Sequence, residues 1–185
     1  MNPSLFQGRL VRLTAEDPQV SAEAVSQWDR DSEYIRLLDS SPARRWSSKK
    51  IQGRIENIQD QPQLDLFIFS IRTKAEDRLI GVTSLYGVKW THGEGFLGIG
   101  LGDRQDWGQG YGTDAVRLIL RYAFTELNLG RLSLDVYAYN PRAIRVYEKI
   151  GFVPEGRMRK CLNREGQRWD MIFMGILKEE WEQTV

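Results

Sequence analysis

The sequence contains few of the side chains on which much enzyme chemistry depends. Its 185 residues include a single cysteine, Cys161, and a single histidine, His92. One cysteine excludes an internal disulfide framework and a cysteine-rich zinc site, and one histidine argues against a Ser-His-Asp triad or a histidine-rich metal centre. We expect Cys161 to pack as a small hydrophobe and His92 to lie exposed in a turn. The composition therefore predicts chemistry that needs no bound metal.

Long apolar runs and targeting segments are also missing. No run approaches the roughly 18–20 residues that a membrane-spanning helix needs. Residues 1–13 lack the basic-then-apolar pattern of a secretory signal. We therefore expect a cytoplasmic protein that has no membrane partner.

Neither sign of charge is in excess, since the chain has 26 basic and 25 acidic side chains and a net charge of +1. A nucleic-acid-binding domain should carry a basic excess, so nucleic acid is not an expected partner. Hydrophobic residues make up 41% of the chain, which is enough to build a core. No repeat, low-complexity tract or linker divides the chain, and its length predicts a single domain over residues 1–185.

Hydrophobic periodicity predicts the element order βααα-βββ-α-β-α-ββ. This order indicates an α/β fold of the α+β kind, with a mixed, largely antiparallel central sheet flanked by helices. Asp17 and Pro18 predict a helix start, and Gly130 is expected to follow the long helix in the left-handed conformation. The predicted strands are 7–14, 64–71, 79–88, 94–102, 131–137, 152–162 and 167–177, and the predicted helices are 18–28, 31–38, one that begins at 47 or 48, 111–128 and 141–150.

The segment 98–115 is the most informative part of the sequence, because a strand enters it, a glycine-rich turn follows and a long helix leaves it. Such a turn exposes several N–H groups at a helix N-terminus, where the helix dipole favours anions. Glycine also allows a phosphate to approach the backbone closely. The segment therefore predicts a phosphate or pyrophosphate site that needs no lysine.

Three alternatives compete for this segment as long as only its glycines are considered. A nucleotide P-loop ends in Gly-Lys-Ser/Thr, whereas residues 112–114 are Gly-Thr-Asp. A dinucleotide fingerprint needs G-x-G-x-x-G, whereas the glycines at 108, 110 and 112 are one residue short. Asp135 is the candidate ribose-binding acid, but it lies in mid-strand rather than at the strand end. A tight helix start without a ligand is the third alternative.

Two blocks of sequence together resemble the GNAT N-acetyltransferases. Residues 107–115, Trp-Gly-Gln-Gly-Tyr-Gly-Thr-Asp-Ala, are similar to the acyl-CoA pyrophosphate loop of that family. Residues 140–152, Asn-Pro-Arg-Ala-Ile-Arg-Val-Tyr-Glu-Lys-Ile-Gly-Phe, resemble its second motif. The similarity is strong over 79–177 and closest to the branch of ribosomal-protein N-terminal acetyltransferases and spermidine acetyltransferases. It implies a splay between the fourth and fifth strands in which acetyl-CoA binds.

The resemblance also implies how acetyl-CoA is held. The pantetheine arm is expected to pair with backbone groups in the gap between the two strands. The pyrophosphate is expected on N–H groups of the glycine loop, where residue 107 contributes its backbone rather than its side chain. Asn140 is expected to bind the pantetheine amide, to cap the following helix, or to do both. The implied acetyl-CoA-binding residues are Gly100, Leu101, Gly102, Trp107, Gly108, Gln109, Gly110, Tyr111, Gly112, Thr113, Asn140 and Tyr147.

Amide formation from a thioester needs a neutral amine, a stabilised oxyanion and a proton for the leaving thiolate. The resemblance implies that Tyr147 is the proton donor and that a main-chain N–H near Leu101 stabilises the oxyanion. Glu94 begins the strand that leads to the thioester and is the candidate general base, acting through water. Asp135 and Tyr139 on the neighbouring strand are alternatives for that role.

The acceptor amine is expected between the N-terminal half of the chain and the final hairpin. Asp170 is a candidate to attract a cationic substrate. Arg157, Arg159 and Lys160 are candidates to bind an acidic group, although a plain exposed hairpin face is the simpler interpretation. A solvated helix face with core aromatics likewise competes with an ammonium site at the acidic-aromatic cluster of Trp28, Asp29, Asp31, Glu33, Tyr34 and Asp39.

The sequence thus predicts an N-acetyltransferase that moves the acetyl group of acetyl-CoA directly to a primary amine. The amine is that of a protein N-terminus, a polyamine or a small amino compound. A non-catalytic acyl-CoA-binding or regulatory module is the alternative, because it would keep the glycine loop, and a dinucleotide oxidoreductase is a third hypothesis. The final hairpin offers edge strands through which a homodimer could form.

Overall fold

The computed structural model describes residues 5–61 and 64–183. Over these residues the chain forms seven strands and six α-helices. A 3₁₀ turn at Arg104–Asp106 precedes the fourth helix, and a π-helical segment at Tyr122–Glu126 follows it. The strands are β1 (Val11–Thr14), β2 (Phe67–Thr73), β3 (Leu79–Lys89), β4 (Glu94–Leu101), β5 (Arg131–Tyr137), β6 (Val153–Arg164) and β7 (Gln167–Leu177), and the helices are α1 (Pro18–Trp28), α2 (Ser32–Leu38), α3 (Ser48–Asp60), α4 (Tyr111–Arg121), α5 (Pro141–Ile150) and α6 (Lys178–Glu182).

The seven strands form one sheet in the order β1-β2-β3-β4-β5-β7-β6. Every neighbouring pair is antiparallel except β4 and β5. These two strands pair only at their first residues, where 94–96 face 131–133. Beyond that point they diverge and leave a V-shaped gap in the sheet. The predicted fold class and the splay between the fourth and fifth strands are therefore confirmed.

The main core lies between the sheet and α4, whose side chains Val116, Ile119 and Leu120 are almost completely buried. Alternate residues of β5, among them Leu132 and Leu134, belong to the same core. Because successive side chains of a strand point to opposite faces, the residues between them point to the other face of the sheet. This alternation decides which side chains of β5 can reach the gap from the face of the sheet opposite α4.

The helices begin where the sequence places capping residues. The side chains of Asp17, Ser47 and Asn140 each accept a hydrogen bond from the N–H three residues later. Proline occupies the first turn of α1 and of α5. Gly151 follows α5 in the left-handed conformation at φ 116°. These local signals explain why the predicted bounds of α1 and α5 match the structure.

The long helix differs from its prediction. α4 does not run to residue 128 as one α-helix but continues as the π-helical segment, in which the Leu127 N–H donates to the Tyr122 carbonyl. The left-handed residue that follows is Asn128, at φ 53°. The prediction that Gly130 takes this conformation was wrong, because the turn comes two residues earlier and asparagine tolerates it.

Two strands begin three or four residues later than predicted, at Phe67 and Val11, and β6 begins one residue later, at Val153. Before β1, the carboxylate of Asp114 in α4 accepts hydrogen bonds from the N–H groups of Arg9, Leu10 and Val11, at 3.2, 2.7 and 3.0 Å. The chain there is thus tied to a helix start rather than to the sheet. The short α6 was not predicted. Within the described ranges, no helix has the length and apolarity needed to cross a membrane.

Candidate active site

The gap between β4 and β5 opens into a cavity of about 480 Å³. The glycine loop and the first turns of α4 and α5 bound one half of it, and α2 and β3 bound the other. This volume is typical of a small-molecule site. The predicted acetyl-CoA-binding residues that line it are Gly100, Leu101, Trp107, Gly108, Gly110, Gly112, Thr113, Asn140 and Tyr147.

Backbone groups at the end of β4 face the gap. The N–H of Gly102 donates to the carbonyl of Ile80 at 3.0 Å, on the β3 side of the strand. Since backbone groups alternate between the two edges of a strand, the N–H and C=O of Leu101 point to the β5 side. The Leu101 carbonyl indeed accepts a hydrogen bond from the Trp107 indole N–H across that side, at 2.9 Å. Leu101 therefore offers the gap a main-chain donor, whereas Gly102 does not.

The start of α4 is built as an anion site. Gly108 and Gly110 have φ values of 79° and 88°, which glycine adopts without strain. Gly110 is the N-cap residue of α4, and no side chain caps the helix there. The N–H groups of the first helical turn lack intrahelical partners, and the positive end of the helix dipole lies at the same place. Gly112 and Thr113 in this turn line the cavity.

Two contacts fix the glycine loop in place. The carboxylate of Asp106, only 2% exposed, accepts two hydrogen bonds from the Arg78 guanidinium at 2.6 and 2.9 Å. The Trp107 indole joins the loop to the end of β4 through its hydrogen bond to the Leu101 carbonyl. The Arg142 guanidinium lies over the Trp107 ring, 4.0 Å from the ring centroid. The prediction assigned residue 107 a backbone role only, but its side chain also positions the loop.

A basic face of α5 points into the same half of the cavity. Arg142, Arg145 and Lys149 recur at i, i+3 and i+7, so they share one face of the helix, and all three line the cavity. Among the described residues, no carboxylate lies within ion-pair distance of them. Together with the α4 start, they form a site suited to a diphosphate.

The Tyr147 side chain lies in the wall of the cavity and is 9% exposed. Its ring packs against Phe152 with 5.8 Å between the ring centroids. Burial, helped by the negative charge of Asp135, raises the pKa of Tyr147 above that of a free phenol. The raised pKa keeps the hydroxyl protonated near neutral pH. It makes no hydrogen bond with any residue of 5–61 or 64–183, so it is free to donate into the cavity.

Asp135 is the one carboxylate among the described residues that line the cavity. It lies two residues beyond the last pair of β4 and β5, at the narrow end of the gap. Burial raises the pKa of Asp135, and no described lysine or arginine pairs with it. Burial, together with the charge of Asp135, raises the pKa of Tyr86 and Tyr147, and all three side chains line the cavity. Asp135 is thus a half-buried, unpaired base that faces the gap.

The other half of the cavity is largely apolar and aromatic. Gly98 and Gly100 form its floor on the α2 side of β4. A Cβ atom at Gly100 would lie 3.0 Å from the Leu38 side chain and 3.5 Å from the Tyr34 hydroxyl, so the absent side chain lets α2 approach β4 this closely. The ring of Tyr86, stacked on Phe96, forms a side wall.

Three predicted acetyl-CoA-binding residues do not line the cavity. Gly102 lies directly beneath the indole of Trp28, which leaves no room for a ligand on that side. Gln109 is exposed, and Tyr111 packs against the core. Asn140 lines the cavity. It also caps α5, which is one of the two roles expected for it.

The structure does not bring Glu94 to the thioester end of β4. It begins the strand, seven residues before Leu101, and a strand rises about 3.3 Å per residue. Its carboxylate pairs with Lys89 at 2.8 Å, which lowers the pKa of Glu94. Tyr139, another candidate, donates its hydroxyl to the Arg36 carbonyl at 2.6 Å and does not line the cavity. Of the three candidate bases, only Asp135 faces the gap.

Asp170 has a structural role in the final hairpin. Its carboxylate accepts hydrogen bonds from the Arg157 guanidinium at 2.9 Å and from the Lys160 N–H at 2.8 Å, and these contacts lower the pKa of Asp170. Lys160 has a φ of 53° at an irregularity of β6, so the carboxylate stabilises that kink. The other candidates outside the cavity are His92, Arg159 and Cys161.

The predicted acidic-aromatic cluster does not form one ammonium site. Asp31 and Glu33 both pair with Arg104, at 2.5 and 2.7 Å, next to the glycine loop. The Tyr34 side chain is buried and reaches the cavity. The remaining members, Trp28, Asp29 and Asp39, lie outside the cavity.

Sequence reasoning missed several residues of the site. The basic side chains Arg142, Arg145 and Lys149 had a detectable signal, because their spacing of three and four residues marks one helix face. Tyr86 had none, because its position beside Gly98 depends on the register of β3 against β4.

Residues 9–153 match the acetyltransferase (GNAT) domain family. The Bacillus subtilis (strain 168) protein named "Probable N-acetyltransferase YjcK" is 38% identical over 132 residues, which cover 70% of this chain and 72% of that protein. The spermidine N(1)-acetyltransferase of Vibrio cholerae is 31% identical over 107 residues, or 58% of this chain and 61% of that protein.

A solved structure extends the likeness to the fold. The crystal structure of spermidine N-acetyltransferase from Vibrio cholerae in complex with CoA and spermine superposes with a TM-score of 0.81, at 21% identity, over 93% of this chain and 98% of that one. The chain therefore belongs to the GNAT family of acetyltransferases, as the resemblance indicated. It is an N-acetyltransferase that uses acetyl-CoA.

Proposed function

We propose that this chain transfers the acetyl group of acetyl-CoA directly to a primary amine in the cavity between β4 and β5. Asp135 is the general base, the Leu101 N–H stabilises the oxyanion and Tyr147 is the general acid. The observation that carries the proposal is the meeting of these three groups around one gap in the sheet. The helix start and the basic face of α5 fit the phosphates of acetyl-CoA.

Asp135 receives the amine. An alkylammonium has a pKa of about 10, so the amine arrives protonated and is attracted to the unpaired carboxylate. Because burial raises the pKa of Asp135, it is a stronger base than an exposed aspartate. It takes a proton from the ammonium, directly or through a water molecule. The freed lone pair then attacks the thioester carbonyl carbon and forms the C–N bond.

The Leu101 N–H points to the gap and is not used by β3, so it can donate to the carbonyl oxygen as that oxygen becomes negative. When the C–S bond breaks, its electron pair leaves with sulfur, and Tyr147 gives its proton to the thiolate. The nitrogen loses two protons overall. One replaces the proton that Tyr147 donated, and the other passes from Asp135 to solvent.

The Tyr147→Phe variant tests the proposal. It removes the phenolic proton and keeps the ring that packs on Phe152, so we expect kcat to fall by about 10–1000-fold while the affinity for CoA is kept. Thiol release from acetyl-CoA in the presence of an amine panel measures kcat, and calorimetry measures CoA binding. Unchanged turnover at saturating substrates would remove Tyr147 from the mechanism.

The acceptor is a protein N-terminus, a polyamine or a small amino compound; a relative of this chain is named for spermidine. We place the enzyme in the cytoplasm and propose that residues 1–185 form one domain with no nucleic-acid or membrane partner. A homodimer is proposed through β6, an edge strand of the sheet on which Val153 and Met158 are each 50% exposed. Analytical ultracentrifugation of the wild type and of a Met158→Lys variant tests that assembly.

A further inference from the structure

The half of the cavity that receives the amine has an unusual balance of groups. Asp135 is its carboxylate, and one carboxylate matches one ammonium group. The rest of the lining offers apolar surface and aromatic rings to the body of the substrate. The walls on the α2 and β3 side and the adjoining part of β5 consist of two leucines and three tyrosines, namely Leu37, Leu38, Tyr34, Tyr86 and Tyr137.

Two carboxylates at the neighbouring start of α2 are already paired with a cation. Asp31 and Glu33 at the start of α2 share the Arg104 guanidinium. The hydrogen bonds from Arg104 lower the pKa of Asp31 to about 2, which shows how firmly the carboxylate is engaged. A second ammonium group that extended toward α2 would therefore have to compete with Arg104 for its partner.

The opposite half of the cavity is not available to a second amine, because the proposed function places the phosphates of acetyl-CoA there. Arg142, Arg145 and Lys149 line it without carboxylate partners among the described residues. A diamine or polyamine is protonated at each of its separated amines near neutral pH. Once one ammonium group is held by Asp135, a second one inside the cavity meets an apolar wall and no further carboxylate, which is unfavourable.

The floor and the walls favour a bulky apolar body instead. Gly98 and Gly100 add no side chain to the floor, and Ser84 and Leu38 already pack close to them, since a Cβ atom at either glycine would lie 3.0 Å from one of these side chains. Leu38, 48% exposed, lies at the rim of this space. Aromatic rings and leucine side chains bind apolar groups by excluding water from them.

We infer that the acceptor is a primary amine with a single positive charge attached to an apolar, ring-sized or branched body, rather than a polyamine. This inference rests on the proposed function and narrows its substrate class. Two sources supply such an amine: a small arylalkylamine or alkylamine, and the N-terminus of a peptide whose first side chain is apolar. Both present one ammonium group to Asp135 and an apolar body to the tyrosines and leucines.

The test compares amines that differ by one charge. Initial rates of thiol release from acetyl-CoA are measured with hexylamine and 1,6-diaminohexane, which have the same carbon chain, and with 2-phenylethylamine, spermidine and a leucine-initiated tetrapeptide. We expect kcat/KM for hexylamine to exceed that for 1,6-diaminohexane by at least about tenfold, because the second ammonium has no partner. Of the other three amines, 2-phenylethylamine or the tetrapeptide should have a higher kcat/KM than spermidine. The ratio of kcat/KM for 2-phenylethylamine to that for the tetrapeptide identifies the source of the amine.

The failures of the two proposals are distinguishable. Equal or faster acetylation of 1,6-diaminohexane or spermidine overturns the monocationic acceptor and leaves acetyl transfer in place. No thiol release with any amine overturns the proposed function itself.

A variant at the rim supplies an independent check. Leu38→Asp adds a second carboxylate to the amine-binding half, and Leu38→Asn adds a neutral side chain of the same shape. We expect the ratio of kcat/KM for the diamine to that for hexylamine to rise about tenfold in Leu38→Asp relative to Leu38→Asn, since the added charge supplies the missing partner. An equal ratio in the two variants would contradict the charge argument.

Discussion

Asp135 destabilises the folded state when it is ionised, and its proposed role as the general base explains why such a residue is present. A half-buried carboxylate without a cation is destabilising when ionised, and burial accordingly raises the pKa of Asp135 in the folded protein above its unfolded value. The penalty is therefore present above the folded pKa and disappears as the pH falls below the unfolded value of about 4. The side chain remains useful because a base with a raised pKa accepts a proton more readily.

The Asp135→Asn variant should separate activity from stability. At pH 7 we expect the rate of acetyl transfer to fall by roughly 10²–10⁴-fold, because the base is lost. We also expect Tm to rise at pH 7, and this gain to shrink toward pH 4, because the wild-type carboxylate is then protonated. Thermal unfolding at several pH values and steady-state kinetics measure the two effects. A lower Tm for the variant at pH 7 would contradict this view of Asp135.

Gly102 is needed for packing, because the Trp28 side chain fills the space beside it. The Trp28 indole lies where a side chain at residue 102 would be, and Trp28 is only 7% exposed. We expect Gly102→Ala to lower the free energy of unfolding by about 1–3 kcal/mol through overpacking. Gly156→Ala is the matched control, since its Cβ would meet nothing within 4 Å, and it should change stability by less than about 0.5 kcal/mol. Denaturant titration that gives equal values for the two variants would contradict the packing argument.

For single residues, sequence reasoning succeeded where the role depends only on neighbours in the sequence. Asn140 caps α5 through a hydrogen bond to a residue three positions away, so its neighbours in the sequence suffice to identify it. The choice between Glu94 and Asp135 is not local. It depends on the point at which β4 and β5 separate, which neither strand encodes by itself.

The glycine loop depends on a contact with a distant turn. Asp106 is 3% exposed in its side chain, and its partner Arg78 lies at the start of β3, 28 residues earlier. Breaking such a pair leaves a buried charge without compensation. The loop that would hold the diphosphate is therefore only as rigid as this ion pair allows.

The Arg78→Met variant tests that dependence. We expect a loss of roughly 2–4 kcal/mol in unfolding free energy, below the fully buried case because Arg78 keeps some contact with water. CoA affinity should weaken as well, because the loop loses its anchor. Calorimetry with CoA and chemical denaturation measure both quantities.

The control for this variant is Arg36→Met. The Arg36 side chain is as exposed as that of Arg78, at 39%, but its partner Glu165 is 76% exposed. An exposed pair contributes about 0–1 kcal/mol, so this substitution should be nearly neutral. A stability loss as large as that of Arg78→Met would show that burial of Asp106 is not the deciding factor.

Elements with strong local signals were predictable, and those that depend on neighbouring elements were not. α5 has a proline at its start and a glycine after its end, and its predicted bounds match the structure. The long helix lacked any local sign of its change to π-helical hydrogen bonding at 122–126. The start of β1 was displaced because Asp114 takes the N–H groups of residues 9–11.

The whole molecule positions the reaction by interrupting its own sheet. Among the described strands every other neighbouring pair is antiparallel, and the parallel pair of β4 and β5 holds for only three residues on each strand. One face of the opening receives the helix start and the basic side of α5, and the other receives tyrosines and leucines. The phosphates and the amine can thus approach the same gap from different sides.

The element order was enough to predict this class of sheet, and the motifs to predict most of the residues that line the acetyl-CoA half of the cavity as we propose it. The amine-binding half was not predictable to the same degree. Its walls come from α2, β3 and β5, which are far apart in sequence and meet only through the register of the sheet. For the same reason the sequence left an ammonium site at Asp31 and Glu33 open as an alternative, whereas in the structure both carboxylates pair with Arg104.

A crystal structure with coenzyme A bound tests the central claim most directly. We predict the pantetheine arm between β4 and β5, the diphosphate at the start of α4, and the sulfur within about 4 Å of the Tyr147 hydroxyl or one water molecule from it. Coenzyme A bound elsewhere, or bound here with its sulfur far from Tyr147, would contradict the proposed mechanism.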